Sequence, residues 1–170
     1  MSSIDLTTIL GNLSLSLLSV EDLVLKIGRA AGVLLVISGL IKFTKIDKYS
    51  HEGVSAPLAY IFGGTVLYYL PDSSHTISNT LFGHGTVLQY TDYNSFNIYD
   101  SIRILVQTGG LIWFVRGCIL LVHSAEPGKQ EGLKGMLFVI AGVLALNFNS
   151  TAASLNAMFT YFIGITGRVF

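Results

Sequence analysis

The sequence predicts an all-α membrane protein. Four transmembrane helices form two tandem hairpins of the same topology, with amphipathic interfacial helices at the N-terminus, in a long loop and at the C-terminus. Three observations predict it. The chain of 170 residues is 51% hydrophobic and only 12% charged, with mean hydropathy +0.63. A soluble domain carries about 25% charged residues, so there is too little polar surface here to cover a globule in water. Second, four apolar runs alternate with polar loops. Third, the chain repeats itself. A shift of 78 positions lays Asp22 on Asp100, Gly32 on Gly110 and Gly39 on Gly117. With one extra loop residue, Glu52-Gly53 falls on Glu131-Gly132 and Gly63 on Gly142.

Residues 1–21 form an amphipathic N-terminal segment. Leu6, Ile9, Leu10, Leu13, Leu17 and Val20 recur at helical spacing among serines and asparagine, as in a helix lying on a membrane surface or a partner. No basic residue precedes them, so a secretory signal is not expected. Repeat 1 covers residues 22–99. Its spans lie at about 27–43 and 53–70, and a polar outer loop follows at 71–99, where Ile77, Leu81 and Phe82 predict a short surface helix. Repeat 2 covers residues 100–170, with spans at about 102–122 and 133–148. The tail 150–170 is apolar but broken by Asn156, Gly164 and Gly167. It is read as an interfacial or re-entrant helix, with a fifth span as the alternative.

The short loops and their edges carry Lys42, Lys45, Lys48, Lys129 and Lys134, whereas the long loop carries acids only. The positive-inside rule then puts the short loops in the cytoplasm, with the termini and the long loop periplasmic. Lys26, Arg29 and Arg103 argue the other way but are fewer.

Little in the sequence points to chemistry. There is no nucleophile elbow, phosphate loop or zinc-protease motif. His51, His75, His84 and His123 lack metal-ligand spacing. Glu52 and Glu131, equivalent in the two repeats, read as helix-start acids. Net charge is zero, which gives no electrostatic case for nucleic acid. No enzyme, cofactor or metal is expected. The candidate positions are instead for helix packing and assembly: Gly28, Gly32, Gly39, Gly63, Gly110, Gly117, Gly142 and the intramembrane Arg116. Small residues let helix backbones approach in lipid, where no hydrophobic drive brings helices together. The face of Gly110 and Gly117 is read as meeting another copy or another subunit. Arg116, the one ionisable group deep in a span, reads as a structural pairing group. The alternative is an ion or substrate contact in a small multimeric channel or transporter.

The segment Tyr68 to Tyr90, with Tyr-Tyr-Leu-Pro-Asp, Ser-Asn-Thr-Leu-Phe-Gly and Val-Leu-Gln-Tyr, resembles the region after the second span in the IcmC/DotE family, which includes DotV-like and TraQ-like proteins. The resemblance extends back through Pro-Leu-Ala-Tyr-Ile-Phe-Gly-Gly and is carried in the second half only by general pattern. It implies a multi-pass protein of the bacterial inner membrane, without catalysis. Its partners would be the other subunits of a type IVB (Dot/Icm) secretion or conjugation apparatus, in a homo- or hetero-oligomer, together with membrane lipid.

Overall fold

A computed structural model describes residues 6–46, 54–82 and 98–166. Lys48, His51, Glu52, Gly53, His84 and most of the acidic outer loop lie outside the described residues, as does the resemblance segment beyond Phe82. Among the described residues every regular element is a helix: α1 Leu6–Thr44, α2 Ser55–Tyr68, α3 Leu70–Phe82, α4 Ile98–Ser124, α5 Gly132–Leu146 and α6 Phe148–Thr166.

The first difference from expectation is α1. Glu21-Asp22 reads as a helix start, yet α1 passes through it unbroken for 39 residues, about 58 Å. The N-terminal segment is therefore the first half of a packed helix. Its polar residues Ser14 and Glu21 are buried against α4.

The second difference concerns the spans. Two helices, Thr8–Thr44 and Ile98–Ser124, are long and apolar enough to cross a membrane. A third span arises if α5 and α6, bent by 94° at Asn147, are one broken span. The four expected full spans become two long helices and two short ones. α2 has 14 residues and α5 has 15, so they rise about 21 and 22 Å against a hydrocarbon core of about 30 Å.

The two short helices end in the same way. At Tyr69 (φ −93°, ψ 36°) and Asn147 (φ −97°, ψ 44°) the chain leaves the helix and starts another. The Ser73 hydroxyl donates to the Val66 carbonyl at 3.1 Å, and the Thr151 hydroxyl to the Leu144 carbonyl at 2.8 Å. Each reaches back seven residues across the bend to a carbonyl that the helix end leaves unpaired. Tyr69 and Asn147, Ser73 and Thr151, Val66 and Leu144 are all 78 residues apart.

The helices pack as two antiparallel pairs, α1 with α2 and α4 with α5, and the pairs meet through α1 and α4. Ser14 lies at 3.4 Å from Ser101, and Thr108 donates to Glu21 at 2.9 Å. Gly28 stands opposite Val115. These layers recur every seven residues, as they do where two helices coil together, and each joins residues 87 apart. α1 and α4 thus run parallel. Their contact register exceeds the repeat period of 78 by nine residues, so the second repeat sits about 13 Å towards the N-terminal end of α1. Leu67, Leu70, Leu111, Phe114, Cys118, Val143 and Leu146 form the core between the pairs. α3 folds back over it through Ile77.

Candidate functional site: the glycine seams and the Glu126 cluster

The predicted glycines fall into two seams. A β-carbon on Gly32 would lie 2.6 Å from the Gly64 carbonyl oxygen and 2.7 Å from the Tyr68 nitrogen. One on Gly110 would lie 3.0 Å from the Gly142 carbonyl oxygen and 3.1 Å from the Leu146 nitrogen. Gly39 meets Pro57 and Ile61, and Gly117 meets Gly135 and Val139. Every pair of equivalent contacts is separated by 78. The seams are therefore superimposable backbone contacts, each possible only without a side chain.

This geometry changes two expectations. Gly142 is matched by Gly64 and not by Gly63, so no residue is inserted within the packed helices. Gly63 instead faces the Val122 side chain of α4. The Gly110–Gly117 face meets α5 of the same chain and not another copy. It lies on the α5 side of α4 because Gly135 and Gly142 of α5 supply the matching gaps. Gly28 sits where α1 meets Leu70 and α4. Arg116 is exposed on α4, its guanidinium 5.4 Å from the centre of the Phe138 ring.

At the end of the bundle where α4 turns into α5, polar side chains converge on Glu126. The turn is dictated locally. Glu126-Pro127-Gly128-Lys129 closes with the Lys129 N–H donating to the Glu126 carbonyl at 3.3 Å. Pro127 sets the second position and Gly128 has φ +83°, the pattern of a type II turn. It brings the Lys129 ammonium to 2.6 Å from one Glu126 oxygen. Lys42, in the last turn of α1, lies 2.9 Å from the other oxygen, and the Tyr60 hydroxyl of α2 donates to that same atom. Lys42 also rests 4.7 Å from the centre of the Tyr60 ring, and His123 packs edge-on against that ring at 6.0 Å. One carboxylate thus ties α1 and α2 of the first repeat to the α4–α5 turn of the second.

Hydrogen bonds from Lys129, Tyr60 and Lys42 hold the Glu126 carboxyl at about 2, down from its ordinary 4.5. Its folded value lies below its unfolded one. Its contribution to stability is therefore complete above pH 4.5 and disappears as pH falls from there towards 2. Thermal unfolding in detergent, followed down that window, should show a loss in the wild-type chain that Glu126→Gln largely removes. An unchanged acid profile in Glu126→Gln would show that the carboxylate does not hold the repeats together. Gly128→Ala should cost about 1 kcal/mol, because a β-carbon is strained at positive φ. The same unfolding measurement reads it.

Sequence reasoning missed Glu126 and Tyr60. The signals were present: an acid three residues before a lysine across Pro-Gly, and one tyrosine near the loop end of an otherwise apolar run. Glu131 is exposed at the start of α5 and takes no part in the cluster. Among the described residues, no group of three or more histidine, cysteine or acidic side chains is placed to hold a metal ion. The chain matches no family model, no curated protein and no solved structure.

Proposed function

We propose that this chain is a non-catalytic structural subunit of a membrane-embedded protein machine. One observation carries the reading. The interior is closed by glycine seams and a small core, while α1, α2, α4, α5 and α6 all turn large apolar side chains outward, among them Leu34, Phe62, Ile112, Leu133 and Ile163. Such faces need lipid or protein against them. In this reading α2 and α5 cross as short spans beside α1 and α4, completing four. The bend at Asn147 turns α6 along the bilayer surface, and the bend at Tyr69, about 13 Å nearer the Glu126 end, folds α3 back over the core. The lysines of the Glu126 end face the cytoplasm, and the termini and long loop face the periplasm. The assignment to a type IVB secretion or conjugation apparatus of the bacterial inner membrane rests on the resemblance of the Tyr68–Tyr90 segment.

Affinity capture from native membranes, followed by native mass determination, tests the proposal. Other membrane subunits should co-purify at fixed stoichiometry. A lone monomer overturns it. The channel alternative draws no support from Arg116, whose guanidinium stands over Phe138 on the exposed side of α4.

A further inference from the structure

α6 leaves α5 at 94°, and residues 152–165 are exposed throughout, so the helix projects from the bundle. Its rotation is fixed at the bend. The Thr151 hydroxyl reaches the Leu144 carbonyl at 2.8 Å, which places Thr151 on the inner side of the corner between the two helices. Steps of three and four residues lead from it to Leu155, Met158 and Phe162 on the same side, all large, apolar and exposed. The same steps back along α5 from Leu144 lead to Ile140, Leu137 and Leu133, exposed as well. Asn149 lies about 200° round α6 from Thr151 and points the other way. It accepts from the hydroxyl of Tyr99, in the first turn of α4, at 3.1 Å. Asn156, Thr160 and Gly164 share its side. Both walls of the corner are therefore apolar, and the outer side of α6 is polar.

Such a corner needs an occupant that lies lengthwise along one wall and ends against the other. The acyl chains of one leaflet do both, with α5 beside them and α6 across their headgroup end. The dimensions fit. Gln107 donates to the Leu146 carbonyl at 2.9 Å, which sets the bend beside Gln107 of α4. From Gln107 to Ser124 α4 rises about 26 Å, close to the roughly 30 Å of a hydrocarbon core. Charge decides which lipids suit the arm. From Phe148 to Thr166 α6 carries no acid, lysine or arginine, and the first beyond it is Arg168. A helix without cations gains nothing from anionic headgroups and binds by sinking bulky apolar side chains between acyl chains. We propose that α6 docks on the bilayer through the face of Leu155, Met158 and Phe162, and that it selects loosely packed leaflets rather than anionic headgroups. The inference rests on the membrane reading above.

The test uses the full chain with Cys118→Ala, reconstituted in vesicles and labelled at one introduced cysteine with a polarity-sensitive fluorophore. Leu155→Cys reports the inner side of α6, and Asn156→Cys and Thr160→Cys the outer. The vesicles are dioleoylphosphatidylcholine alone, with cholesterol to tighten the packing, or with dioleoylphosphatidylglycerol to add charge. In the loose vesicles the inner label should be shielded from aqueous acrylamide and the outer labels should not. Cholesterol should remove most of that difference, whereas phosphatidylglycerol and Arg168→Gln should leave it unchanged. Met158→Ser should lower the ratio of docked to undocked α6, read at the inner label, about tenfold. The unmodified chain gives a second reading: amide exchange in α6, but not in α4, should be slower in loose vesicles than in tight ones. Equal access to both sides overturns the proposal, as does shielding that ignores cholesterol or rises with phosphatidylglycerol. Equal shielding of both sides overturns it in favour of a fifth span, and shielding that fades as lipid dilutes the protein in favour of a second copy. A wild-type chain that stays soluble without detergent or lipid instead overturns the membrane reading itself.

Discussion

Gly110→Leu is expected to unlock α4 from α5, whereas Gly109→Leu, one residue away, is expected to leave the fold intact. A β-carbon at Gly110 meets the Gly142 oxygen, the Leu146 nitrogen and the Ala145 β-carbon within 3.1 Å. None of these is the movable end of a side chain, so the helices themselves must separate. The cost should reach about 3 kcal/mol, the upper end of overpacking penalties. At Gly109 a β-carbon meets nothing within 4 Å, and replacing helical glycine by leucine should gain about 0.8 kcal/mol of helix propensity. Unfolding of the two variants in the same detergent separates these outcomes. Equal shifts of the same sign would mean that the α4–α5 seam is not a close backbone contact. By the same geometry, Gly117→Leu should damage the chain's own fold, and any loss of assembly should follow from that.

Phe114→Ala should be the most damaging truncation in the core. Phe114 is fully buried, and its backbone nitrogen lies against Gly142. Its ring closes the inner wall of an apolar cleft of about 410 Å³ shared with Phe62, Val66, Ile77, Cys118 and Val139. Removing a buried phenylalanine from a water-soluble core costs about 3–5 kcal/mol. In lipid the alternative environment of the ring is also apolar, so the lower end, about 3 kcal/mol, is expected, mostly from lost contacts. Because the ring stands between the two helix pairs, the variant should also loosen one repeat from the other. Hydrogen exchange would register this as lost protection in α2 and α3 as well as α4. Protection lost in α4 alone would show that Phe114 serves only its own pair.

The repeat was legible because Gly32 and Gly39 reappear as Gly110 and Gly117, and close helix contact demands glycine. Its register through the second helix of each pair was not. The letters Glu-Gly at 52–53 and 131–132 favour an inserted residue, but packing follows helix phase and joins Gly64 to Gly142. The helix ends beside the bends were legible, at residue 70 before Pro71 and at residue 148 between two asparagines, but how the bends close was not. They depend on the Ser73 and Thr151 hydroxyls, ordinary residues made structural by what lies seven positions before them. The acids at positions 21 and 22 suggested a helix start because the residue that accommodates Glu21, Thr108, is 87 positions away. The Glu126 cluster escaped for a similar reason. Its members come from α1, α2 and one turn, and no local pattern unites them.

The nine-residue stagger between the repeats also decides what cannot be built from this chain. Two repeats related by rotation alone could be followed by a third and a fourth until a ring closed. Here each step also climbs about 13 Å, so the relation is that of a staircase, which propagates into a filament and never closes. A flat bilayer does not admit a third step. Ile77 of α3 is packed against the second repeat, but its equivalent 78 residues on, Leu155 of α6, is exposed. Copies of this protein in one membrane must therefore meet through surfaces other than the one that joins its own halves.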